Sequence, residues 1–171
     1  YTTLFRSTSF VQSGTGTTIL SGANTFTGRT FVHGGVLRLD SANAVPGGIG
    51  NTGGTGGIVV KGGVLGLGHG DFTRDIGTGA GQIDFQGAGG FAAYGADRTV
   101  NIGGQAVPEA LRYGNNGFVP DGSSFILGAH DATHKTIVLN TLDLGSFSQA
   151  VRVNDGPALI EGELAGGFTG L

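Results

Sequence analysis

The chain contains no cysteine, no methionine and no tryptophan. Without cysteine there is no disulfide framework and no thiol nucleophile. The same lack suits a chain exported unfolded, in which a premature disulfide would obstruct passage. Charge is scarce as well: only 12% of the residues are Asp, Glu, Lys or Arg, about half the share of an ordinary globular domain. The net charge of −3 gives no basic footprint for nucleic acid. No apolar run approaches the roughly 20 residues of a membrane helix, so membrane insertion by this segment is not expected. Good helix formers are sparse, which disfavours helices. What is abundant is Gly (37 of 171 residues), with Thr, Val, Ile and Asn, and there are 11 Phe. The glycines follow no every-third pattern, which excludes collagen. The Phe and β-branched content exceeds that of disordered chains.

The first seven residues, "YTTLFRS", do not resemble the rest of the chain. They are the translation of TAC ACG ACG CTC TTC CGA TCT, which looks like the end of a common sequencing-library adapter. We expect Tyr1–Ser7 to be non-native, the natural chain to begin near Thr8, and the whole to be a fragment open at both ends. Such a scar is excluded from fold reasoning. Residues 8–171 then form one domain, in keeping with their length.

An internal repeat governs the fold reading. "FVHGGVLRLD" at Phe31–Asp40 reappears as "VVKGGVLGLG" at Val59–Gly68, 28 residues on. Each copy reads as strand, Gly-Gly turn, strand. Period-two alternation places Val32, Val60, Leu37, Leu39, Leu65 and Leu67 on one face. His33, Arg38, Lys61 and Gly66 fall on the other. Leu37→Asp or Leu65→Asp should therefore unfold neighbouring rungs, and Arg38→Asp and Gly66→Asp should be nearly neutral. Further strands are expected at Gln82–Phe85, Phe91–Tyr94, Thr99–Ile102, Ser124–Gly128, Lys135–Asn140, Ala150–Asn154 and Ala158–Leu164. Gly-, Asn- and Asp-rich turns separate them. Short strands with regular turns allow a sandwich, a barrel or a β-solenoid. The local imperfect repeat, the scarce charge, and short apolar strands recurring with Asn and Thr favour the solenoid. With about 20 residues per rung, residues 8–171 would supply roughly seven rungs and a rod some 35 Å long.

The stretch "GTGTTILSGANTFTGRTFVHGGVLRLDSANAVP" at Gly14–Pro46 closely resembles the autotransporter-associated β-strand repeat. Leu20, Ser21, Gly22, Asn24, Thr25, Phe26, Thr27 and Gly28 fit its pattern position by position. So do Gly34, Gly35, Leu37, Leu39, Ala42, Asn43, Ala44, Val45 and Pro46; Arg29 stands where Gly is more usual. Phe72–Gly104 and Val151–Gly170 resemble the linkers between such repeats. The resemblance implies an all-β fold, a right-handed parallel β-helix, in secreted or bacterial cell-surface passengers. It also implies a role in passenger folding during export. It carries no catalytic residues.

The residues that could bear chemistry are few. "HDATH" at His130–His134 has the spacing of a helical metal pair, but between two strands it reads as a solvated turn. Asp71, Arg74 and Asp75 in "GDFTRD" could serve a polysaccharide lyase or hydrolase if a cleft assembled them. With no third carboxylate or aromatic platform nearby in sequence, they read as solvated turn charges. "GGIGNTGGTGG" lacks the Lys-Ser/Thr and the helix of a phosphate loop. "GGVLGLGHGD" approaches a calcium nonapeptide only loosely. We therefore expect no catalytic, metal or cofactor site. Asn24, Asn43, Asn101, Asn140 and Asn154 should satisfy turn backbones, some of them stacked in ladders. Phe31, Phe72, Phe85, Phe91 and Phe125 should stack in the core. The functional expectation is an extracellular stalk that aids stepwise folding and whose partners are neighbouring repeats of the same chain. The alternative is a region binding surface glycans or host or matrix surfaces, for which Tyr94 and Tyr113 would need to be exposed on one flank.

Overall fold

A computed structural model describes residues 8–50 and 56–166. The proposed adapter segment Tyr1–Ser7 and part of the glycine string lie outside the described residues. The fold is all-β, and no helix occurs among the described residues. The first rung holds β1 (Phe10–Gln12) and β2 (Thr17–Leu20), the second β3 (Thr30–Val32) and β4 (Val36–Leu39), the third β5 (Ile58–Val60) and β6 (Val64–Leu67). From the fourth rung on a third face is added: β7 (Ile83–Phe85), β8 (Gly89–Ala93) and β9 (Arg98–Val100). The fifth rung holds β10 (Leu111–Arg112), β11 (Ser124–Leu127) and β12 (Thr136–Val138). The sixth holds β13 (Leu142–Asp143), β14 (Ala150–Val153) and β15 (Ala158–Ile160), and β16 (Leu164–Ala165) opens a seventh.

Every strand pairs in parallel with a strand of an adjacent rung. The longest sheet runs β2-β4-β6-β8-β11-β14, beside β1-β3-β5-β7, β9-β12-β15 and β10-β13-β16. This is the stacked parallel architecture of a solenoid. Thr17 lies beside Val36, Val36 beside Val64, Val64 beside Gly90, Gly90 beside Ile126 and Ser124 beside Ala150. The successive steps are thus 19, 28, 26, 36 and 26 residues. Most rungs are longer than the sequence suggested, because loops of unequal length are inserted between strands whose own lengths hardly change.

The Gly-Gly-Val-Leu-x-Leu copies stack residue on residue: Leu37 on Leu65 and Leu39 on Leu67. All four are fully buried with Val32 and Val60. The turn needs glycine for two reasons. Gly35 has a positive φ of 60°, and a side chain there would run into the Gly16 carbonyl oxygen. Inside the rod Phe72, Phe85, Phe91, Phe118 and Phe125 pack together, Phe72 against Phe91 at 4.8 Å and Phe118 against Phe125 at 5.3 Å between ring centres. Aromatic packing of this kind adds about 0.5–1.5 kcal/mol per pair beyond burial. Phe31 departs from the expectation. It neighbours the inward Thr30 and Val32, so it points outward, half-buried, with its ring 5.6 Å from that of His33.

The outer face of the long sheet is also not what alternation implied. Val36, Val64, Ala92, Tyr94, Ile126 and Ala129 form a second, smaller apolar cluster there. Gly66 belongs under this cover. It is buried, and a Cβ built on it would stand 2.8 Å from the Tyr94 ring and 3.0 Å from the Arg38 Cα. The expectation that Gly66 faces solvent is therefore corrected: its neighbour Tyr94 lies across it, which no period-two pattern can anticipate.

Two neighbouring substitutions separate these environments. Leu37→Asp buries an unpaired carboxylate and should cost several kcal/mol. Gly66→Asp should cost about 1–3 kcal/mol by overpacking instead of being neutral. Denaturant melts read both, and a Gly66→Asp melt indistinguishable from the parent would show that the Tyr94 cover is absent.

Candidate functional site

The long step between Gly90 and Ile126 creates a sizeable concavity on the described surface. It is an open cleft of about 720 Å³ between the turn at Asp75–Gln82 and the loop spanning Ile102–Gly117. Ile76, Ile102 and Leu111 give it apolar walls, while Asp75, Gln82, Gln105, Glu109 and Asn116 give it polar ones. The loop is held from below. Asn140 is fully buried. It accepts the Ile102 amide at 2.8 Å and donates to the carbonyls of Ile102 at 2.9 Å and Glu109 at 3.0 Å. Its side-chain amide thus stands in for a strand's backbone where the rung has none. Asn24 does the same at the repeat's turn, donating to the Ala44 carbonyl at 2.9 Å, and Asn101 donates to the Gln105 carbonyl at 2.9 Å. These three asparagines fill the backbone-satisfying role expected of them.

The group Asp71, Arg74 and Asp75 is not brought together. Asp71 is exposed and accepts the Thr99 amide at 2.8 Å. Asp75 lines the cleft. Arg74, expected to be a solvated turn charge, has no exposed surface at all. Its guanidinium donates to three backbone carbonyls: Gly48 at 2.8 Å through Nε, Gly56 at 2.7 Å through Nη1 and Pro46 at 2.6 Å through Nη2, which also reaches Gly48. Burial pushes its pKa down to about 10, so it stays charged at neutral pH. Arg74 clasps both ends of the loop between the second and third rungs. The fixed fork of an arginine suits several carbonyls at once, and the correction follows from the convergence of the Pro46, Gly48 and Gly56 carbonyls on one point.

The segment "HDATH" is a turn, as expected, but it lies across the outer face of the long sheet. Asp131 accepts a hydrogen bond from Tyr94 Oη at 2.5 Å and another from Thr17 Oγ1 at 2.9 Å. The fifth rung is thereby tied to the fourth and to the first. Arg38 sits 4.7 Å over the Tyr94 ring and pairs with Asp40 at 2.7 Å. Burial would raise the Asp131 pKa, but the donors Tyr94 and Thr17 and the nearby His130 together hold it below the ordinary carboxylate range. Burial first, then Asp131, push the Tyr94 phenol far above its usual value. His130 is exposed, its Nδ1 4.0 Å from Asp131, and His134 Nδ1 meets Thr133 Oγ1 at 2.7 Å. No group of three potential ligand side chains gathers among the described residues. Tyr113, like Tyr94, is buried. It donates to the Ala150 carbonyl at 3.1 Å, and burial pushes its pKa up to about 12. Neither tyrosine offers the exposed flank that a glycan-binding reading required of it.

The family model of the passenger-associated-transport-repeat matches residues 10–39. That span runs from the first residue of β1 to the last of β4, so the matched repeat holds the strand pairs of the first two rungs. It confirms the resemblance read from Gly14–Pro46, although the match closes at Leu39, before the Ala-Val-Pro turn. The repeat is a structural one, of secreted or surface-exposed passengers. No curated protein and no solved structure matched the chain.

Two measurements test the clasp and the strap. Arg74→Met strips three carbonyls of their donor and should cost about 3 kcal/mol or more, since hydrogen bonds to charged groups contribute ~1.5–3 kcal/mol each. Asp71→Asn keeps an acceptor at an exposed site and should shift a melt by about 0.5 kcal/mol or less. For Asp131 the folded pKa is depressed, so the unfolded state binds protons first as the pH falls. Its stabilisation is complete above the ordinary carboxylate pKa and disappears as the pH drops through the lower folded value. The stability advantage of the parent over Asp131→Asn should therefore be constant at neutral pH and vanish at the acid end of a series of melts.

Proposed function

We propose that this chain is a stalk segment of a secreted or surface-displayed bacterial passenger, and that it folds rung upon rung during export. The passenger-associated-transport-repeat at residues 10–39 supports the class. The observation that carries the mechanism is the unbroken order of the long sheet, in which each strand takes its hydrogen bonds from the strand one rung before. A rung that is already folded is thus a complete template for the next. Val153 and Leu164 continue the inward rows of Leu127 and Leu142 yet stand 55% and 56% exposed. A neighbouring rung stacked on β14 and β16 would cover them, which makes further repeats of the same protein the natural partner. The separation of Asp71 from the cleft that Asp75 lines and the burial of Arg74 favour the structural reading over a polysaccharide-cleaving one.

Pulse-labelling hydrogen exchange during refolding tests the proposal. In the parent, protection should spread through adjacent rungs. In Leu65→Asp, which disrupts the third rung, strands on one side of the lesion should still become protected while those beyond it stay open. Simultaneous, all-or-none loss of protection across every rung would refute stepwise templating.

A further inference from the structure

We propose that Asn116 is a spontaneous modification site, at which the folded chain converts its own Asn-Gly turn into an isoaspartyl linkage through a cyclic imide. Asn116–Gly117 is the one Asn-Gly pair in the sequence. It forms the centre of a tight turn, closed by the Phe118 amide donating to the Asn115 carbonyl at 2.9 Å. Both central residues have positive φ, 49° at Asn116 and 85° at Gly117. That is the type I′ geometry, which favours this pair of residues. The turn lies in the longest insertion of the rod, within the step of 36 residues from Gly90 to Ile126.

Three observations open this pair to the reaction. Gly117 has no side chain, so nothing on it shields its backbone nitrogen from the Asn116 side chain. Every other asparagine is followed by a residue that carries a Cβ. The closing bond of the turn uses the Phe118 amide and leaves that of Gly117 unused, and the latter meets no acceptor among the described residues. An amide without an acceptor can give its proton to solvent. Asn116 is exposed, and its side chain bonds to no described residue. The amides of Asn24, Asn101 and Asn140, by contrast, are held as donors.

The chemistry balances with water alone. The deprotonated Gly117 nitrogen attacks Asn116 Cγ. The new C–N bond closes the imide ring, and the bond from Cγ to Nδ2 breaks to release ammonia. Water then adds to one of the two imide carbonyls and reopens the ring. Attack at Cγ leaves aspartate. Attack at the main-chain carbon of residue 116 leaves isoaspartate, with the chain now running through Cβ and Cγ. Either product adds a carboxylate to a cleft wall that already carries Asp75 and Glu109. The isoaspartyl link also lengthens the turn by one carbon. Because the Gly117 carbonyl accepts the Phe85 amide at 2.7 Å, the longer turn should loosen the insertion from β7. This proposal is independent of the stalk reading, and either can fail alone.

The test compares the folded parent with Asn116→Gly during long incubation in mildly alkaline buffer. Peptide mapping by mass and an enzymatic methyl-transfer assay for isoaspartate give the readout. Glycine adopts the positive φ without strain, so the variant should fold and melt as the parent does. In the parent, isoaspartate should build up in the peptide carrying Asn116 and nowhere else. In Asn116→Gly none should form. In the modified parent the Phe85 amide should exchange faster with deuterium than in the fresh protein. An unmodified Asn116 in the folded parent would overturn the proposal, whether or not the urea-unfolded chain is converted. Equally rapid conversion at another asparagine, or isoaspartate in Asn116→Gly, would also overturn it.

Discussion

The structure rests on the parallel ladder between successive rungs. The strands here are two to five residues long, too short to be stable alone, and each finds its strand partners in the adjacent rungs. Because parallel ladders fix register residue by residue, an inward side chain must stand directly over an inward side chain. The rows Leu37–Leu65–Phe91–Leu127 and Leu39–Leu67–Ala93 are the result. A continuous apolar core follows from that alignment, as does tolerance of unequal loops, since an insertion between strands leaves the register untouched.

The insertions pose the opposite problem, because their backbones lie outside any ladder. The chain meets it with a handful of polar side chains that imitate backbone. Arg74 supplies donors to three carbonyls, Asn140 supplies both donor and acceptor to the loop at Ile102, and Asn24 reaches the turn of the next rung. Buried polar groups are acceptable when they are so satisfied. In a chain with this little charge, a fully buried arginine is a large commitment, and it is made where carbonyls converge and no strand passes.

The strap from Ala129 to Asp131 adds contacts that the ladder does not provide. It bridges the first, fourth and fifth rungs through Thr17, Tyr94 and Asp131 and closes a second apolar cluster over Val36 and Val64. A stack held only by nearest neighbours can fray from an end; a contact across several rungs couples them. The strap can form only when the first, fourth and fifth rungs are all in place. The same fifth rung carries the cleft, which places both non-repetitive features where the repeat pattern is interrupted most.

The all-β class, the stacked repeat and the inward rows were legible in the residues themselves. Leu37, Leu39, Leu65 and Leu67 recur at period two around a Gly-Gly turn, and local backbone geometry with burial of one face leaves little choice about where they go. Asn24 was legible for a similar reason, since its short amide serves a turn close to it in the stack. Four features were not: the burial of Arg74, the cover over Gly66, the outward setting of Phe31 and the union of Tyr94 with Asp131. Each depends on which loop passes over which face, and Thr17 meets Asp131 across 114 positions of sequence. Periodicity reports only the two sides of a strand. Whether the outer side meets water or another part of the chain is set by the path of the insertions, and that path exists only once the rungs have stacked.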